Sequence, residues 1–177
     1  MESSRNSTAK QIAFIGQLTA LAVILQASSL YLPLLGGFLS HFATLVIAMA
    51  TTVKPKYGAA ATFCTGFLLL FFTPKQIPAL LLFDGPLGLW TGWAYCNYPK
   101  RHYAWLMASV TLVLGIWVLT WILGIPVLNG LTQGTSTLTA ALLTTGFALV
   151  YCRAWLSFTD QVFQGLNRRL PLLFKEE

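Results

Sequence analysis

Asp84 is the only carboxylate inside any long apolar run of this chain, and it stands in Phe83-Asp84-Gly85-Pro86, where proline removes a backbone donor and glycine loosens a helix. A break of that kind exposes carbonyl oxygens, and an acid beside it can meet a cationic or donor-rich group of a solute. The same acid can instead be protonated, or paired with His41, and serve helix packing. Gln26 and Thr144 could donate or accept hydrogen bonds, to a ligand or to a neighbouring helix. Trp117 and Trp121 share a helix face by their i, i+4 spacing and offer indole faces to a ring or a cation. Asn129 lies in an uncharged, turn-rich segment that could reach over the same region. No G-x-x-x-x-G-K-[ST], G-x-S-x-G or H-E-x-x-H appears, and no second intramembrane acid accompanies Asp84. The chain therefore lacks a P-loop and has no catalytic constellation; an integral-membrane enzyme would rest on Asp84 and His41 alone. Neither a cofactor nor a metal site is expected.

The elements that must position these residues are membrane spans. At 56% hydrophobic and 9% charged, 177 residues leave too little polar surface for a soluble domain. Apolar runs at 12–32, 34–53, 57–73, 77–95, 103–123 and 138–158 are each near the roughly 20 helical residues that cross about 30 Å of hydrocarbon. If Met1 is cytoplasmic, ten of the 11 Lys and Arg residues fall inside, at Arg5, Lys10, Lys54, Lys56, Lys100, Arg101, Arg153, Arg168, Arg169 and Lys175, against Lys75 alone outside. Short loops obey this positive-inside bias, so the charges support both six spans and the orientation. The expectation is an all-α integral membrane protein, a compact six-helix bundle with residues 1–11 and an amphipathic segment 159–177 on the cytoplasmic side. Phe163, Leu166, Leu170 and Leu173 share one face of that last segment, as in an interfacial helix. The first span reads as a retained helix, not a cleaved signal, because its loss would spoil the charge parity. The net charge of +6 belongs to loops facing anionic lipid and implies no nucleic-acid partner. Cys64, Cys96 and Cys152 have no metal-site spacing and read as packing residues.

Depth follows from the helical rise. Gln26, His41, Asp84, Trp117 and Thr144 all fall roughly 9–10 Å below the outer end of their spans, so five spans place a polar or indole group in one layer. Polar groups at that depth face the bundle interior or a water-filled cavity, which predicts an outward-opening pocket. The segment 124–137 is long enough to cover it, as a lid or as an ordinary connector. Ala9, Ala13, Gly16 and Ala20 draw a smooth stripe up the first helix, against either this chain's own helices or a separate membrane subunit.

Ile12-Ala13-Phe14-Ile15-Gly16, the proline and double glycine after the first span, the Pro55-Lys56-Tyr57-Gly58-Ala59 turn and six short spans in about 180 residues resemble the substrate-binding S component of energy-coupling factor (ECF) transporters. The resemblance implies a prokaryotic cell-membrane protein that binds a vitamin or related water-soluble micronutrient. Its partners would be a T component, docked on the Ala-x-x-x-Ala region of helix one, and two ATPase subunits. Glu2 follows Met1, in place of the histidine of the nickel and cobalt branch, which argues against a metal substrate. Beside that reading stand a structural or assembly membrane protein and an integral-membrane enzyme.

Overall fold

The computed structural model describes residues 2–32, 35–125, 128, 134 and 136–169. Among these the chain is helical with no strand. In order, the elements are α1 (Glu2–Tyr31), α2 (Leu35–His41), α3 (Ala43–Val53), α4 (Pro55–Phe72), a 3-10 turn (Pro74–Gln76), α5 (Ile77–Ala79), a π-turn (Leu80–Asp84), α6 (Gly85–Cys96), a 3-10 turn (Tyr98–Lys100), α7 (Arg101–Trp117), a second π-turn (Val118–Ile122) and α8 (Thr137–Arg169).

Prolines set several of these boundaries. Pro55, Pro74, Pro78 and Pro86 each occupy one of the first two positions of their element, where the missing N–H is an orphan anyway. Lys54, which precedes Pro55, is extended at φ −159°, because a residue before proline is steered out of the helical region. Phe42 alone separates α2 from α3 and keeps helical dihedrals, so the two run on as one segment with a local tightening: Phe42 N–H reaches the Leu39 carbonyl at 3.0 Å.

Four helical segments are long and apolar enough to cross a membrane: Ala9–Tyr31, Leu35–Val53, Arg101–Ile122 and Thr137–Arg168. They are compatible with a multi-pass membrane protein. The expected third and fourth spans are different in kind. α4 is an 18-residue helix that opens on Pro55 and Lys56. The fourth is segmented into α5, the π-turn and α6, because Gly85 N–H bonds the Leu80 carbonyl five residues back while Pro86 has no N–H to offer. No such interruption divides α8: one 33-residue helix runs through the expected boundary at Phe158.

α3 and α6 form the centre. α3 also packs on α1 and α4, α6 on α7, and α7 on α8; α1 takes α2, α3 and α4. The α3–α6 seam is close because Gly88 and Gly92 lie four apart on α6: a Cβ at Gly88 would stand 2.8 Å from the Thr44 carbonyl oxygen, one at Gly92 2.5 Å from that of Ala48. Likewise Gly115 lets α7 rest against the Leu82 carbonyl of the π-turn.

Polar contacts tie the two ends of the bundle. At the basic end, Tyr57 Oη donates to Gln11 Oε1 at 3.2 Å, the Cys96 thiol reaches the Thr52 carbonyl at 3.5 Å, and Arg101 pairs with Asp160. At the other, Gln76 Nε2 donates to Ser29 Oγ at 2.6 Å. Lys10, Lys54, Lys56 and Lys100 lie within two residues in sequence of members of these first contacts.

α8 joins the rest differently. Trp105 Nε1 donates to the Leu149 carbonyl at 3.0 Å, and Phe83, Leu87, Ala108, Leu112, Ile116, Ala148 and Cys152 pack between α6, α7 and α8. On the α8 face turned to α2 and α3, rings span the gap. Phe147 stacks on Tyr151 (5.5 Å, 22°) and Tyr151 on Trp155 (6.0 Å, 10°), while Phe42 meets Trp155 at 6.4 Å and Phe158 at 6.2 Å. Phe163, expected on an interfacial face, is fully buried and meets Tyr95 edge-on at 5.0 Å. Leu166 is half-buried; Leu170 and Leu173 lie outside the described residues.

Candidate functional site

The π-turn delivers Asp84 to the inside of the bundle, 3% exposed. Three side chains from different elements converge on its carboxylate. Gln26 Nε2 from α1 donates to Oδ2 at 2.7 Å, Thr44 Oγ1 from α3 donates to Oδ1 at 3.2 Å, and His41 Nδ1 at the end of α2 stands 3.2 Å from Oδ1. The last contact is a hydrogen bond in the tautomer that carries its proton on Nδ1. Gln26 is fully buried, and its Oε1 has no donor among the described residues.

Each position has a local cause. Pro86 and Gly85 force the wide turn that rotates Asp84 inward. On the first helix, Leu18, Ala22, Val23 and Gln26 lie at roughly helical intervals along one buried face. Thr44 is three residues after His41, so both project from the same side of the α2–α3 segment. His41 differs from its partners in being open: its side chain is 43% exposed, against 4% for Asp84. Its ring lies 5.5 Å from that of Phe83, which in turn meets Tyr151 of α8 at 5.7 Å. A carboxylate buried on one side thus reaches the surface of the bundle through one imidazole, beside a wall of aromatic rings.

Of the expected layer, the structure brings together Gln26, His41 and Asp84. Trp117, Trp121 and Thr144 make no hydrogen bond or ring contact with the Asp84 cluster among the described residues. The hydroxyl of buried Thr144 donates to the Ala140 carbonyl of its own helix at 2.8 Å. Trp117 stacks on Trp121 (6.0 Å, 27°), and Trp121 is 65% exposed. Asn129 lies outside the described residues, as does most of the segment thought able to cover the site; within it Gly124 and Gly134 adopt positive φ, and Leu128 packs on the α6–α7–α8 core. Thr44 and Tyr151 escaped the sequence reading. The i, i+3 spacing from His41 would have found the first; the ring ladder at Phe147, Tyr151 and Trp155, four apart, would have found the second.

Ala9, Ala13, Gly16 and Ala20 all face away from the rest of the chain, and a Cβ at Gly16 would meet nothing within 4 Å. The stripe is open, not a seam of this bundle.

Comparison with family models, with curated proteins and with solved structures yields no match, so fold and site rest on the geometry of this chain alone.

Proposed function

We propose that this chain is a membrane-embedded solute-binding subunit of the kind found in ECF-type importers. In this reading six helical passes cross a prokaryotic cell membrane, with both termini cytoplasmic. The bundle takes a small water-soluble nutrient from outside. A T component, docked on the open Ala9–Ala20 face, and two ATPase subunits supply the energy the chain has no motif to provide. The Asp84 cluster is the solute's polar anchor and His41 its outer contact.

One observation carries the proposal: a buried carboxylate on a broken helix, held by side chains of three elements and reached through a half-exposed histidine. Ionisable groups inside membrane bundles are costly and concentrate on solute and ion paths, and interrupted helices supply such sites in transporters. One fact favours a second reading, that of a structural or assembly protein: the Asp84 oxygens already have three internal partners, as a packing device would. The two part on a thermal-shift screen of the detergent-solubilised protein against water-soluble vitamins and their precursors, repeated on Asp84→Asn. A solute present at about 100 times its Kd stabilises the folded form by about 2.7 kcal/mol. A hit that Asp84→Asn weakens supports solute capture. Well-folded protein that no compound shifts leaves the cluster as packing.

A further inference from the structure

Hydrogen bonding within the Asp84 cluster leaves oxygens over. Gln26 Oε1 is fully buried and has no donor among the described residues, although Gln26 Nε2 is engaged with Asp84 only 2.7 Å away. A second such oxygen flanks the same turn. Thr65 of α4 is fully buried, and its Oγ1 has no partner among the described residues. Its neighbours on that helix face define where it lies: Thr62 stands against Gly85, and Gly66 faces Leu80 and Leu81, where an added Cβ would meet them at 3.7 and 3.8 Å. In the i→i+5 pattern that joins Gly85 N–H to the Leu80 carbonyl, the next carbonyl, that of Leu81, would need an N–H from Pro86, which has none.

Buried oxygens in an apolar bundle are normally satisfied. Here two buried side-chain oxygens, on α1 and α4, lack a partner among the described residues, and the first belongs to the side chain that bonds the carboxylate. We infer that the Leu80–Asp84 turn, with Gln26, Thr44 and Thr65, is a binding site for one small monovalent cation, of which Na+ is the chemical type. The oxygens are hard donors of carboxylate, amide, hydroxyl and main-chain carbonyl, the set that unwound transporter helices present to Na+. One carboxylate balances one charge, so a monovalent ion leaves the site neutral, whereas Ca²⁺ or Mg²⁺ would leave a buried positive charge unpaired. The inference rests on reading the Asp84 cluster as a binding site, and it adds that the ion stands beside the solute.

The test is made on the full chain in detergent with no solute present. Thermal stability is compared in NaCl, KCl and choline chloride at equal ionic strength, and retention of ²²Na⁺ is measured by equilibrium dialysis. The expected result is a higher Tm in NaCl than in the other two salts and saturable retention of one ²²Na⁺ per chain. Asp84→Asn should abolish both, and Thr65→Val, which keeps the side-chain shape, should weaken retention. Equal Tm in all three salts with no retained ²²Na⁺ on the unaltered chain overturns the inference, whatever the variants do, and assigns the spare oxygens to buried water. Solute binding that is indifferent to Na+ sinks the cation site and leaves the proposed function standing; Na+ binding with no solute hit does the reverse.

Discussion

The helices of this bundle meet along two unlike seams. Around Asp84, α1, α2, α3 and the π-turn are joined by hydrogen bonds of 2.7–3.2 Å to one buried carboxylate. Along α8, the join to Phe42, between α2 and α3, is made of rings 5–6.5 Å apart, with the Trp155 Nε1 buried among them and without an acceptor among the described residues. Directional contacts to a charge fix one geometry, because every displaced donor is left dry. Stacked rings tolerate sliding, and in lipid they gain little from burial, since acyl chains are as apolar as the partner helix. The polar seam is thus the specifying one, and the aromatic seam is the one that can rearrange.

That contrast can be broken at its strong end first. Asp84→Ala strands the donors of Gln26, Thr44 and His41 together and should lower stability by about 3–5 kcal/mol, measured by unfolding in detergent, with Asp84→Asn recovering part of the loss. A loss under about 1 kcal/mol would show the cluster to be incidental. Tyr151→Leu, at the middle of the ring ladder, should lose about 2 kcal/mol, since its ring pairs with Phe83, Phe147 and Trp155 are worth roughly 0.5–1.5 kcal/mol each and leucine refills part of the space. A larger drop would mean that the ladder specifies the fold as well. Smallest of all is Trp155→Phe, which discards a buried N–H without an acceptor among the described residues; its effect should stay within about 0.5 kcal/mol, and a gain in Tm would be the clearest sign that this N–H is a burden.

Height along a helix was legible in the chain, and direction around it was not. Counting at about 1.5 Å per residue put Gln26, His41 and Asp84 at one level, and they touch. The same count put Trp117 and Thr144 at that level, yet the first turns to Trp121 and the second bonds its own helix. Rise is a property of the backbone alone; azimuth depends on which neighbours a helix has, and on local overwinding or underwinding. Two π-turns, at Leu80–Asp84 and Val118–Ile122, reset the azimuth of everything beyond them. Pro86 announced the first, but nothing in Val118–Ile122 announced the second. The four-residue spacing of Gly88 and Gly92, unread in the sequence, marks the central α3–α6 seam, whereas the fold leaves the alanine stripe of α1 open.

The unbroken length of α8 has a mechanical consequence. At 33 residues it is about 50 Å long, so in a bilayer of about 30 Å of hydrocarbon it would have to lean or protrude. A rod held along part of its length is a lever. Its held stretch runs from Phe147 to Phe163, so changing its lean by about 20°, the ordinary tilt of membrane helices, carries the Thr137 end, roughly 15 Å beyond, sideways by about 5 Å. In a bilayer, a change of thickness would thus be felt at the Thr137 end, while the other end stays held by Tyr95 against Phe163 and by Arg101 against Asp160.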